Sequence, residues 1–309
     1  MTDTKGQAMK SRKLLSLGAA VSLLAACGGG GSDSGEPPPT LTSASASSGV
    51  RYSEVLLLTL RGTRLDQALT LESTGCKNFA RSTAAPFVST ATTAYFSCTV
   101  SGAAGSLSVN VSGGGASLGA IPFSVELPQV TFTISNGGNL NGTLLITLRP
   151  DAAPRTVDNF LAYVKSGFYD ATAIHRHARN DNLGSFVLQG GAYAAPVSST
   201  ARFPTHKTTL ANIALEVGRG LSNVRYSLAM ARGAELDSAN SEFFINTANN
   251  AFLDTQSGGY AVFGNVVTGT TLVDAMAAAP CNFSNNFALG SNDCVPEPNL
   301  VISSAAQTR

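Results

Sequence analysis

The chain has 309 residues, 43% hydrophobic and 13% charged, which is too apolar and too weakly charged for a disordered polypeptide. Lys+Arg of 20 against Asp+Glu of 19 leaves a formal net charge of +1, so no field favours a polyanion and a nucleic-acid role is disfavoured. Only three His are present, none in an H-E-x-x-H pattern, and no Cys pair has zinc-ligand spacing, so no metal centre is expected. The Gly-rich run Gly28–Gly31 precedes no helical pattern, so no phosphate cradle or cofactor is implied either.

The amino terminus reads as an address. Lys10, Arg12 and Lys13 precede the apolar run Leu14–Ala26. At 1.5 Å per residue that run spans about 20 Å, short of a bilayer core of roughly 30 Å, so it reads as a secretory signal and not a spanning helix. The run ends Leu24-Ala25-Ala26-Cys27, which resembles the bacterial lipobox; the alternative is an ordinary signal peptide with a chance Cys. The resemblance implies removal of 1–26 and a lipid on Cys27. With Gly28 and not Asp behind the Cys, it implies sorting to the periplasmic face of the outer membrane. Residues 27–50 are Gly, Ser, Pro, Thr and Ala with little to bury, the composition of a flexible tether. The folded body would be anchored to a membrane, not embedded in it.

With Cys27 lipidated, Cys76, Cys98, Cys281 and Cys294 remain. An even number in an exported chain permits two disulfides. Local closure, Cys76–Cys98 and Cys281–Cys294, is the economical pairing, each loop being worth ~3 kcal/mol if unstrained. Buried thiols are the alternative, and the spacing does not choose.

Residues 51–127 carry short strand patterns. Val55 to Leu60 form an apolar run, Leu107, Val109 and Val111 alternate with polar residues, and Phe123, Val125 and Leu127 alternate again. Period two buries one face. The region reads as a small all-β domain. It holds no His and no nucleophile constellation, so its role as spacer, docking module or peptide-binding surface for an unknown protein partner stays open.

Residues 128–309 begin with two alternating runs, Val130–Ile134 and Gly142–Leu148, an opening hairpin. A helix follows: Val157, Phe160, Leu161 and Val164 make one apolar face, with Thr156 as the expected cap, Asp158 in the first turn, and Lys165 and Gly167 at the end. A shorter helix starts at Thr271, where Thr271 to Asp274 fits a capping box with Val273 and Met276 inward. The Asn-rich stretch from Pro280 to Pro296 is irregular and shows no chemistry.

From Gly142 to Tyr193 the motifs become specific. They run Ala153-Pro154, Thr156-Val157-Asp158-Asn159-Phe160, Gly167-Phe168-Tyr169-Asp170, His175-Arg176, Phe186 and Gln189-Gly190-Gly191. Leu228 to Arg232, Ser238 to Asn246, Phe252-Leu253-Asp254 and Gly259 to Val267 follow in order. This series resembles the cyclophilins, peptidyl-prolyl cis-trans isomerases, over roughly 128–309. The resemblance implies a mainly β protein: a closed eight-stranded barrel with two capping helices, its proline site on the outer face, behind the small all-β domain.

The chemistry can be argued independently. An X–Pro amide rotates over a barrier of ~20 kcal/mol. As it twists, the prolyl nitrogen regains its lone pair. A catalyst therefore needs a pocket for the ring and a donor aimed at that nitrogen, binding the twisted state best. Arg offers a permanent charge and a rigid fork of donors. By resemblance Arg176 is that donor, Gln189 orients it and binds substrate backbone, and Phe186, Ala231, Phe244 and Leu253 line the pocket. Phe252 stands where some relatives have Trp, and Tyr260 where others have His. His175 reads as structural, since the reaction needs no proton abstraction. His177 and His206 read as solvent-facing.

Two departures stand out. Glu242 replaces the usual Gln, an acceptor-only group that would pair with Arg176 and draw it from the prolyl nitrogen, or repel the substrate carbonyl. Residues 177–185 form a polar, loop-like insert between Arg176 and Phe186, which would let the Arg float or build an extra rim. The expected outcome is reduced and not absent turnover, with altered sequence preference. The leading expectation is an envelope isomerase acting on proline-containing polypeptides of exported proteins. The alternatives are a weakly active or inactive, chaperone-like binder of proline segments, and a structural lipoprotein using the barrel as scaffold.

Overall fold

The computed structural model describes residues 36–180, 184–197, 205–282 and 293–309. The signal run and Cys27 lie outside the described residues. No helix among the described residues is long and apolar enough to cross a membrane.

The first region is two antiparallel sheets. One comprises β1 (Thr40–Ala46), β2 (Val55–Thr63), β4 (Cys76–Arg81) and β5 (Thr93–Val100), in the order β1-β2-β5-β4; the other comprises β3 (Leu69–Glu72), β6 (Gly105–Gly113) and β7 (Ala116–Val125), in the order β3-β6-β7. Alternation decides their faces. Leu56, Leu58 and Leu60 of β2 and Ala94, Phe96, Cys98 and Val100 of β5 turn inward, to one core with Val109, Val111, Ile121 and Phe123. The Cys76–Cys98 disulfide ties β4 to β5. One expectation is corrected: Thr40–Ala46, placed in the tether by composition, is an edge strand paired with β2. Backbone hydrogen bonding to a waiting edge needs no apolar pattern of its own.

The second region is the barrel. Its strands are β8 (Gln129–Ser135), β9 (Asn141–Leu148), β10 (Thr172–Asn180), β11 (Gly184–Ala194), β12 (Ser227–Met230), β13 (Phe243–Asn246), β14 (Val262–Thr268) and β17 (Leu300–Gln307). They run β11-β13-β12-β14-β9-β8-β17-β10, and β10 pairs back onto β11, closing eight strands. Closure removes the exposed edges. Two short strands, β15 (Cys281–Asn282) and β16 (Asp293–Pro296), extend the sheet beyond β10. The Cys281–Cys294 disulfide joins them.

Helix α1 (Pro154–Lys165) packs on the barrel through Val157, Phe160, Leu161 and Val164 as expected, all buried. Phe160 stacks among Phe132, Tyr169, Phe243 and Phe263, with ring centroids 5.0–6.0 Å apart. Its expected cap is corrected. Thr156 is buried inside the helix, and no side chain of the N-cap residue Ala153 closes the end. The carboxylate of Glu216 does so from outside, accepting from the Thr156 amide at 2.9 Å and the Arg155 amide at 3.3 Å. Negative charge at a helix start is favourable wherever it comes from. Asp158 sits beyond the first turn and is used elsewhere: it accepts from Tyr52 Oη at 2.8 Å and from Lys77 Nζ at 2.7 Å, fastening the first region to the barrel.

Helix α2 (Thr270–Ala277) buries Val273 and Met276 as expected. The expected capping box is absent. Gly269, at φ 90°, opens the helix with no side-chain cap, and Asp274 accepts from Arg225 Nη2 and Tyr226 Oη instead.

Candidate active site

A row of residues crosses the outer face of the barrel. Arg176 on β10 stands opposite Gln189 on β11, Gln189 opposite Phe244 on β13, Phe244 opposite Ala229 on β12, and Ala229 opposite Val262 on β14. Strand alternation separates Phe244, on this face, from Phe243 in the core. Arg176 reaches the row through a bulge. The register of β10 shifts between Ile174 and Arg176; Ile174 stays in the core and the extra residue, His175, turns Arg176 outward.

The polar end of the row is a hydrogen-bonded chain. Arg176 Nη1 donates to Gln189 Oε1 at 2.7 Å, and Gln189 Nε2 donates to Glu242 Oε2 at 2.7 Å. His175 Nε2 lies 3.4 Å from the same Glu242 oxygen. Arg176 Nε donates to Asp293 Oδ2 at 2.8 Å. The guanidinium side chain remains 29% exposed, so a ligand can reach it.

The other end is apolar. Ala231, Phe244 and Leu253 belong to one buried cluster on this face, and Phe186 and Tyr260 pack against it. Phe244 and Tyr260 meet edge to face at 5.7 Å. Phe252 is not in the cluster; it is 41% exposed, with its ring 6.2 Å from Phe186. A buried Asn lattice supports this end: Asn250 Nδ2 donates to the Phe186 carbonyl at 2.7 Å and to Asn246 Oδ1 at 2.8 Å.

Residues 130–306 match the family model described as cyclophilin type peptidyl-prolyl cis-trans isomerase/CLD. The chain belongs to the cyclophilin family. Its activity class is that of the family, peptidyl-prolyl isomerisation. Among its relatives, peptidyl-prolyl cis-trans isomerase cyp18 of Streptomyces antibioticus is 41% identical over 53% of this chain and 92% of that protein. Peptidyl-prolyl cis-trans isomerase A of Dickeya dadantii is 39% identical over 53% of this chain and 78% of that protein. Peptidyl-prolyl cis-trans isomerase B of Escherichia coli is 35% identical over 53% and 93%.

Within this cyclophilin the two departures look different from their sequence expectation. Glu242 does not take Arg176; its partners are Gln189 and His175. An acceptor-only carboxylate on one side and a donor-only guanidinium on the other leave the Gln189 amide one orientation, with its oxygen toward Arg176. Gly191 makes the approach possible: at φ +98° its absent Cβ would stand 2.4 Å from the Ser241 carbonyl oxygen and 3.1 Å from the Glu242 Cα. Burial alone would raise the Glu242 carboxyl, but hydrogen bonds from His175 and Gln189 outweigh it and hold the group below its ordinary value.

The expected insert loop is mostly strand. β10 continues through His177 to Asn180 and β11 starts at Gly184, so Arg176 stands within a ladder and does not float. His177 is buried, not solvent-facing. Its Nε2 lies 2.7 Å from Ser185 Oγ, and its Nδ1 3.7 Å from Cys281 Sγ. Burial foremost, then the nearby Arg179, pushes its pKa down to about 4. His206 is exposed as expected. His175 is buried beside Glu242, a structural placement.

Sequence reasoning missed two residues here. Asp293 lies in the stretch read as having no chemistry, and its partner Arg176 is 117 positions away. Arg232 lies over the Tyr260 ring at 4.9 Å and donates to the Gly259 carbonyl at 3.2 Å through Nε. Only the Leu228 to Arg232 motif pointed near it.

Proposed function

We propose that this cyclophilin isomerises X–Pro bonds with Arg176 as the donor to the prolyl nitrogen and with the apolar end of the row as the ring pocket. One observation carries the reading. Arg176, Gln189 and Phe244 stand on a single cross-strand row, a partly exposed cation at one end and a buried apolar cluster at the other. Phe186, Ala231 and Leu253 close on the ring, while Phe252 and Tyr260 form the rim. Gln189, held between Arg176 and Glu242, accepts from Nη1 of the guanidinium. As the amide twists, the nitrogen lone pair localises and the charged donor binds it better than in either planar state. No covalent bond breaks, and no proton must move.

The test is protease-coupled isomerisation of an Ala-Pro peptide by the full chain and by Arg176→Ala. Loss of one well-placed charge-assisted donor is expected to lower kcat/KM about 100-fold. A folded wild type with no catalysis would move the reading to proline-segment binding.

We further propose that the substrates are exported polypeptides, met at the periplasmic face of the outer membrane by a chain lipidated on Cys27. The two disulfides support export, because such bonds persist in oxidising compartments. Labelled palmitate is expected to enter the wild-type chain and not Cys27→Ser. Equal labelling of both would sink the anchor.

A further inference from the structure

The stretch between α2 and β17 delivers a carboxylate to the site. Asp293 opens β16, which pairs with β10 through Ala178 opposite Asp293 and His177 opposite Cys294. The next residue, Cys294, is bonded to Cys281 on β15. Asp293 is therefore held by a backbone ladder on one side and a covalent staple beside it. Its side chain is only 9% exposed. A carboxylate removed from water is costly unless a cation meets it, and the cation it meets is Arg176 Nε at 2.8 Å.

The geometry has a consequence for the guanidinium. Arg176 is gripped at two points of its planar fork, Nε by Asp293 and Nη1 by Gln189 at 2.7 Å. Two hydrogen bonds from different strands fix a plane, whereas one leaves a rotation about its own axis. The Nη2 side is engaged by neither partner. Gln189 alone, a neutral amide, would leave the side chain free to swing about the Nη1 bond.

We infer that Asp293 is a positioning residue for the isomerisation, fixing the Arg176 guanidinium so that Nη2 is presented to the prolyl nitrogen. The inference rests on the reading of Arg176 as the prolyl-nitrogen donor. Asp293 does not touch the reacting amide. It acts by removing the reorientation that Arg176 would otherwise undergo as the amide twists, so its contribution falls on turnover and not on ground-state binding.

The experiment measures kcat and KM separately for the full chain, Asp293→Ala, Asp293→Asn, Arg176→Ala and the Arg176→Ala/Asp293→Ala double variant, with unfolding curves for each. Asp293→Ala is expected to lower kcat about tenfold with KM within twofold of wild type. Asp293→Asn keeps an acceptor of the same shape and is expected to retain an intermediate kcat; it also serves if the Ala variant does not fold. In the Arg176→Ala background, removing Asp293 is expected to cost nothing more. If Asp293→Ala keeps wild-type kcat while Arg176→Ala collapses, the inference is wrong and the donor assignment stands. An equal loss from Asp293→Ala in both backgrounds would also overturn it, by showing a merely structural role. If Arg176→Ala retains wild-type turnover, the donor assignment itself fails and this inference falls with it.

Discussion

The sandwich of β1 to β7 and the barrel region of β8 to β17 each carry one disulfide, yet they bury different things. Among the described residues, the sandwich buries only Ser101 and the hydroxyl-bearing Tyr52 as polar side chains. The barrel buries His175, His177, Glu216, Asn246, Asn250 and Asp293, among others. A buried polar group costs stability unless it is partnered. Glu216 is partnered at the start of α1; the others named have their partners on the side of the barrel around Arg176 and Phe186. The sandwich has no such convergence. The contrast teaches where to look for chemistry in a β protein: not at the strand patterns, which are alike in both regions, but where polar groups leave water together.

Acid should break the two regions apart. His177 is neutral in the folded barrel, its pKa pushed from the ordinary 6.5 to about 4 by burial and then by Arg179, with Asp293 opposing. Between those values the unfolded chain binds a proton that the folded one refuses, so stability falls as pH falls. It is complete above about pH 6.5 and loses on the order of 3 kcal/mol by pH 4. The sandwich contains no His. Hydrogen exchange between pH 7 and pH 5 should show β10 and β16 losing protection while β2 and β5 keep it. His177→Asn should flatten the barrel's profile; parallel profiles for the variant and wild type would refute the assignment.

How much of this was readable follows the same division. Periodicity alone placed Val109, Val111, Phe123 and Val125 on a buried face, and Val157, Phe160, Leu161 and Val164 on one helix face, because burial writes a local pattern. The motif series placed Arg176, Gln189, Phe186 and Phe244 on one site. Position did not follow for groups whose partner is distant. His177 lies in the polar run His177-Ala178-Arg179-Asn180, and only the return of Cys281 and Cys294 over it explains its burial. Glu216 caps a helix some 60 residues earlier in the chain, displacing Thr156 from the role its spacing suggested. Asp293 carries no local signal at all. Glu242 was legible as a departure, but whether it would meet Arg176 or Gln189 depended on the close approach at Gly191.

The smaller effect tests the seam between the regions. Tyr52 belongs to the sandwich and is fully buried; its hydroxyl donates to Asp158 on α1 at 2.8 Å and accepts from the Gly102 amide at 2.7 Å. Burial, then the adjacent Asp158 charge, drives its pKa far above the ordinary phenol range, so it stays a donor at any working pH. Lys77 reaches the same carboxylate at 2.7 Å, but its side chain is 49% exposed, and an exposed ion pair contributes little. Asp158→Ala strands the hydroxyl proton in the seam and is expected to cost about 2 kcal/mol in urea unfolding. Lys77→Ala is expected to cost under ~1 kcal/mol. Neither residue touches the row from Arg176 to Val262, so Ala-Pro turnover should be unchanged in both. Equal destabilisation by the two variants would show that the ion pair, and not the buried hydroxyl, fastens the sandwich to the barrel. A fall in turnover with Asp158→Ala would show that the sandwich braces the active face through α1.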